Sequence, residues 1–138
     1  MTRLACILLV WGLLVPSVGR AQMYVPPEPY SLWDTWLYPD GKEFHLFFLE
    51  SEGKLTWNTI GHAVSSDLLH WKPLPPIPSK GSPGAWDEEP TLTGMVIKQG
   101  GRYVMFYGSG MSSGNQKIGT MTSTDLVKWE KNPRNPIL

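Results

Sequence analysis

The stretch Ile60-Gly61-His62-Ala63-Val64-Ser65-Ser66-Asp67-Leu68-Leu69-His70-Trp71 is answered later in the chain by Ile118-Gly119-Thr120-Met121-Thr122-Ser123-Thr124-Asp125-Leu126-Val127-Lys128-Trp129. The offset, from residue 60 to residue 118, is 58 throughout, and Ile, Gly, Ser, Asp, Leu and Trp keep their places. Upstream, Gly41 to Phe48 matches Gly100 to Tyr107 with an offset of 59. Further upstream still, Trp33-Asp34 is expected to correspond to Trp86-Asp87. A unit of several short strands recurring at this period is the mark of a β-propeller, each unit forming one blade.

The intervening sequence agrees with an all-β chain. Trp33 to Leu37, Phe44 to Leu49, Thr59 to Ser65, Thr91 to Ile97, Tyr103 to Tyr107 and Ile118 to Thr122 read as strands, rich in the aromatic and branched residues that suit a pleated surface. Pro39-Asp40-Gly41 and Ser51-Glu52-Gly53-Lys54 are turn signals. Tyr24 to Tyr30 carries three prolines and reads as an extended lead-in, and Lys72 to Pro83 as a proline-rich connection. No helical period is sustained anywhere. The duplicated Ser-x-Asp-Leu-x-x-Trp segment is expected to end each blade, its Ser and Asp capping a turn and its Leu and Trp packing between sheets. Features present twice in this way point to structure, since a single site does not need two copies.

Two units do not close a ring, which takes roughly four to eight blades. Five units of this period would need about 290 residues. The chain is therefore expected to hold about two blades of a larger propeller, at about 31–75 and about 84–133. Such a piece, from a longer or a truncated protein, exposes an open sheet face and an unpaired edge.

The beginning reads differently. Met1-Thr2-Arg3 is a short positive start, Leu4 to Val15 an apolar run of 12 residues, and Gly19 and Ala21 are small residues. That layout is expected of a secretory signal peptide over 1–21, leaving 22–138 as a partial propeller that is secreted or periplasmic. The run is short for a membrane span, which needs about 20 residues, so no membrane partner is expected after its removal. Losing Arg3 and Arg20 takes the formal charge from +0 to −2, which gives no basic surface for nucleic acid. Cys6, the only cysteine, lies inside this leader, so the remainder is held by core packing alone.

Features present once are the candidates for chemistry. Trp33-Asp34-Thr35-Trp36 sets a carboxylate between two indoles. Flat apolar faces around a carboxylate would make burial govern its ionisation, and an indole offers a platform for the C–H face of a sugar ring. Trp86-Asp87-Glu88-Glu89-Pro90 is a concentrated acidic patch, suited to hydrogen-bonding sugar hydroxyls or to lying in a solvated turn. No cofactor is required, although calcium is conceivable at such an oxygen-rich cluster. His62 could reach a substrate or stand inside a strand, and His45 lies within an apolar strand. Gly108 to Gly114 lacks a Lys-Ser/Thr end and reads as a loop, not a phosphate cradle.

Together these motifs resemble the five-bladed propeller glycoside hydrolases of families 32, 43 and 68, and Gly61 to Trp71 resembles the family 32, invertase-like, sequence that ends the first blade. Trp33-Asp34-Thr35-Trp36 resembles the tryptophan–aspartate box of the levansucrases, and Asp34 through Phe47 the Asn-Asp-Pro-Asn-Gly box and His-Leu-Phe strand of the invertases, without its Pro-Asn-Gly. Trp86 through Tyr107 is similar to the second blade of these families. The resemblance covers about residues 31–138 and implies a glycosidase acting on fructan- or sucrose-like, or arabinose- or xylose-containing, carbohydrate. It implies that Asp34 is a nucleophile or the base for a water; Trp33, Trp36, Trp86, Asp87, Glu88 and His62 are the candidates to line the sugar site, although the resemblance places His62 within a blade strand. Glycoside hydrolysis ordinarily takes two carboxylates, whose separation distinguishes retention from inversion. The resemblance implies that the second, a general acid, lies in a later blade. The other readings are a non-catalytic glycan-binding propeller, a purely structural or interaction propeller, and an inactive truncated fragment.

Overall fold

The computed structural model describes residues 24–53, 56–112 and 114–138; the expected leader lies outside them. The described residues form eight strands and no helix: β1 (Tyr30–Pro39), β2 (Phe44–Glu52), β3 (Thr59–Ser65), β4 (Lys72–Pro78), β5 (Thr91–Gln99), β6 (Arg102–Ser109), β7 (Lys117–Ser123) and β8 (Glu130–Lys131). They make two four-stranded antiparallel meanders, β1-β2-β3-β4 and β5-β6-β7-β8. Two successive blades of a β-propeller have this construction.

Register shows how the sequence repeat becomes a structural one. Phe48 pairs with Gly61 across β2 and β3, and Tyr107 with Gly119 across β6 and β7. Phe44 pairs with Pro39, and Tyr103 with Lys98. Followed up the first strands, this register places Leu92-Thr93 opposite the role of Trp33-Asp34. The expected match of Trp33-Asp34 with Trp86-Asp87 is thereby corrected: Trp86-Asp87 precedes β5 and belongs to the connection between sheets.

A second correction concerns Lys72 to Pro83. Its first seven residues form β4, despite Pro73, Pro75, Pro76 and Pro78. The strand tolerates them because it is the last of its sheet, pairing only with β3, so N–H groups on its outer side have no ladder to complete.

The core lies between the two sheets. Trp36, Phe47, Leu49, Ile60 and Ile77 of the first meet Met105, Tyr107, Met121 and Leu126 of the second. Phe47 takes the edge of Trp129 across the interface at 6.1 Å between ring centroids, and Tyr38 meets Tyr103 edge-on at 5.6 Å. Residues that alternate out of such a pleat are buried on both faces of β2 and β3, which accounts for their near-continuous apolar character.

The duplicated segment ends each sheet as its sequence implies. Ser65 Oγ accepts from the N–H of Leu68 at 2.9 Å, and Asp67 Oδ1 from those of Leu69 and His70 at 2.8 Å. Asp125 Oδ1 accepts from Val127 at 2.9 Å and Lys128 at 2.8 Å. Both turns pass through a leucine with φ of 63°, Leu68 and Leu126. Such a conformation disfavours a branched Cβ and is sustained here by the surrounding hydrogen bonds. These bonds also hold both aspartates below the usual carboxylate range, led by the His70 side chain for Asp67 and the Lys128 amide for Asp125.

Candidate active site

Asp34 stands at an irregularity in β1. Trp33 pairs with Leu49 and Thr35 with Phe48, so Asp34 is an extra residue with no partner of its own on β2. A bulge of this kind breaks the alternation and re-aims a side chain. β5 carries the same irregularity: Leu92 pairs with Gly108 and Gly94 with Tyr107, leaving Thr93 as the extra residue. The two bulged side chains meet, Thr93 Oγ1 donating to Asp34 Oδ2 at 2.6 Å. The contact therefore joins the first strand of one sheet to the first strand of the next.

The surroundings of Asp34 differ from those expected. Asp34 is exposed, not enclosed between two indoles. Trp33 is 47 % exposed and meets Trp57 edge-on at 6.2 Å. Trp36 turns the other way; it is 9 % exposed and stacks on Phe47 at 6.0 Å, inside the core. The bulge between Trp33 and Thr35 separates their directions. Trp33 thus remains beside Asp34 as an accessible aromatic face, while Trp36 serves the interface between sheets.

Trp57 was not a candidate in the sequence, yet it completes this corner. Its carbonyl accepts from the Thr91 amide at 2.9 Å, tying the β2–β3 connection to the start of β5. Its φ of 37° is unusual for a non-glycine residue, and such strain gathers where the surrounding structure fixes a loop. Thr93 was missed as well, although the 59-residue offset applied to Asp34 leads straight to it.

The other candidates lie apart. Asp87 is 3 % exposed and accepts from Lys131 Nζ at 2.6 Å and from the Tyr107 hydroxyl at 2.9 Å. This ion pair, in which Asp87 is buried and Lys131 exposed, ties the inter-sheet connection to β6 and β8, and Lys131 also donates to the carbonyl of Ser79 at 2.6 Å. Burial, followed by the Asp87 contact, pushes the Tyr107 phenol well above its ordinary range. Trp86 packs on Tyr107 at 5.4 Å between centroids. Trp86 and Glu88 border a recess of about 300 Å³ with Glu89, Asn115 and Lys117, which neither Asp34 nor Trp33 lines. Glu88 is exposed there and accepts from the Gly84 amide at 2.7 Å.

The carboxylates of the acidic patch do not converge on a common point. Asp87 turns to Lys131, Glu88 to Gly84 and Glu89 to the Ser112 amide. Among the described residues no group of three or more His, Asp or Glu side chains could hold a metal.

His62 is 1 % exposed, with its ring 4.4 Å from that of Phe47 and its Nε2 at 3.0 Å from His45 Nδ1. His45 Nε2 in turn faces Asp40 Oδ2 at 3.8 Å. The tautomers that suit this row have His62 donate to His45 and His45 point its proton at Asp40. Burial, then the neighbouring His45, lowers the His62 pKa from 6.5 to about 3. Burial also lowers that of His45, against the opposing pull of Asp40. Both imidazoles are neutral members of a strand-to-strand contact inside the first sheet, and His62 presents no atom to a ligand outside.

The arrangement carries one accessible carboxylate, one bound hydroxyl and one open indole face. Comparison with known proteins gives it a context. The sequence model described as Glycosyl hydrolases family 32 N-terminal domain matches residues 34–138, beginning at Asp34. A bifunctional 6(G)-fructosyltransferase/2,1-fructan:2,1-fructan 1-fructosyltransferase of Allium cepa is 33% identical over 118 residues, 81% of this chain and 18% of that protein. A levanase of a Bacillus species is 32% identical over 107 residues, 70% of this chain and 11% of its own length. The chain thus spans about a fifth or less of these relatives. Among solved structures, a family 117 glycoside hydrolase of Zobellia galactanivorans superposes with a TM-score of 0.72 at 17% identity, over 84% of this chain and 37% of that one. A β-fructofuranosidase of Schwanniomyces occidentalis, complexed with fructosyl-erythritol, does so with a TM-score of 0.69 at 22% identity, over 86% and 26%.

Proposed function

The chain belongs to the glycosyl hydrolase family 32 N-terminal domain family, and on that footing we propose that it brings one of two carboxylates to a site that cleaves fructosyl bonds, with Asp34 as the attacking group. The observation that carries this reading is the placement of Asp34: an exposed carboxylate, re-aimed by a bulge, beside the open face of Trp33. Relatives named as a fructosyltransferase and a levanase favour a fructose-containing substrate over an arabinose- or xylose-containing one.

In this reading Trp33 offers its ring to the C–H face of the sugar, where an aromatic surface is favoured over water. Asp34 then either attacks the anomeric carbon or takes a proton from the water that does. The leaving oxygen needs a proton from a second carboxyl with a raised pKa. That acid is assigned to sequence outside these 138 residues. The 1–21 stretch is assigned to export, in keeping with relatives such as the cell wall β-fructofuranosidase isozyme of Pisum sativum.

The test uses the protein expressed from its complete reading frame, assayed on sucrose, inulin and levan. Asp34→Asn should lower kcat by about 10³-fold or more while leaving the thermal midpoint unchanged, because Asp34 is exposed. Turnover undiminished in that variant overturns the role of Asp34. Sugar binding without turnover in the unmodified protein would instead favour a glycan-binding propeller.

A further inference from the structure

Asp34 and Thr93 occupy the same bulge in two successive sheets, and their side chains are joined across the seam. From this we propose that Thr93 is a positioning residue, through which the second sheet sets the orientation of the reactive carboxylate of the first. The inference rests on the role proposed for Asp34.

Three observations support it. The direction of the bond is fixed, because an ionised carboxylate only accepts, so the hydroxyl must donate. At 2.6 Å it has the short length of a hydrogen bond to a carboxylate, made here between two exposed side chains. Among the described residues it is the hydrogen bond that holds Asp34, and it engages Oδ2, leaving Oδ1 to meet the sugar.

The donor is exposed, but the backbone that carries it is closely packed. Threonine is branched at Cβ and stiff about χ1. Its neighbour Gly94 sits so close to both sheets that an added Cβ would lie 2.4 Å from the carbonyl oxygen of Phe106 and 3.2 Å from the ring of Trp36. Trp36 of β1 thus rests on Gly94 of β5, one residue beyond the hydroxyl. The packing that joins the sheets and the bond that orients Asp34 are therefore parts of one contact. An exposed carboxylate on a single strand would otherwise rotate among its rotamers.

The inference is tested with Thr93→Val, which keeps the shape and removes the donor, and Thr93→Ser, which keeps the donor. In the protein from the complete reading frame, Thr93→Val should lower kcat on the best fructoside by about 10- to 100-fold, the size of effect expected from misplacing a reacting group. KM should change by less than about 3-fold, and Thr93→Ser should retain kcat within about 3-fold of the original. Equal losses in both variants would show that the methyl group matters instead of the hydroxyl, and unchanged kcat in Thr93→Val would also overturn the proposal.

Crystal structures of the unmodified protein and of Thr93→Val supply a readout that needs no turnover. The Asp34 carboxylate should leave its position in the valine variant, and an unmoved carboxylate refutes positioning by Thr93. If the unmodified protein cleaves no fructoside, the function proposed for Asp34 fails, while the structures still decide whether Thr93 holds it.

Discussion

The two sheets are built to one plan yet differ in what fills it. Both are four-stranded meanders with a bulged first strand and a Ser-Asp turn. At the bulge, however, the first carries Asp34 and the second Thr93. Where the first has His45 and His62 facing across β2 and β3, the second has Val104 and Thr120. Where the second has Tyr107, Lys131 and buried Asp87, the first has Phe48 and Pro73 at the positions equivalent to Tyr107 and Lys131. Repetition fixed the scaffold, and the positions freed from repetition took on separate work.

The ion pair between buried Asp87 and exposed Lys131 should show this most strongly. Lys131→Met removes the cation from a carboxylate that is 3 % exposed and should cost about 3–5 kcal/mol in urea unfolding. A loss near zero would mean that Asp87 finds another partner, and the second sheet would then be no more dependent on charge than the first.

The equivalent leucines come next. Leu126 is 1 % exposed, packed into the seam between sheets, whereas Leu68, in the same turn of the first sheet, is 39 % exposed. Leu126→Ala should cost about 3 kcal/mol and Leu68→Ala less than about 0.5 kcal/mol. Similar losses would indicate that the turn, not the seam, is what the side chain supports.

Acid should separate the sheets further. His62 has its folded pKa lowered from 6.5 to about 3, so between those values the unfolded chain binds a proton that the folded chain refuses. Stability is therefore present above about pH 6.5 and is lost as pH falls toward 3, at about 1 kcal/mol per pH unit. Asp40, Asp67 and Asp125 are all lowered from 3.8 and act further down, below the window from pH 6.5 to 5. Copying the second sheet into the first, as His45→Val with His62→Thr, should flatten thermal midpoints across that window. A slope that survives the exchange would assign the acid response elsewhere.

The smallest contrast is the absence of one. Ser65 and Ser123 are each 3 % exposed and hold equivalent turns. Replacement of either by alanine should cost about 1 kcal/mol, and the two losses should agree within experimental error. A marked difference would break the equivalence of the two turns.

These contrasts also explain what the sequence disclosed. The repeated Ser-x-Asp-Leu-x-x-Trp was legible because its side chains bond to their own backbone, so chemistry and position are local. The strands were legible for the same reason, through their apolar patterning. Asp87 misled because two Trp-Asp pairs look alike as letters, while the register that distinguishes them depends on pairing with β6. Trp36 misled because a single bulge, invisible in composition, turned it inward while Trp33 stayed outside. β4 was hidden by its prolines, which only an outermost strand accommodates.

Those prolines have a consequence for how the molecule meets others of its kind. A row of free N–H and C=O groups can template the addition of foreign strands and seed fibrils. Pro73, Pro75, Pro76 and Pro78 withhold the donors that such growth requires. The second sheet reaches the same end by brevity and charge, closing with only Glu130 and Lys131 in β8. A chain rich in exposed strand is in this way made a poor nucleus for amyloid along its outer margins.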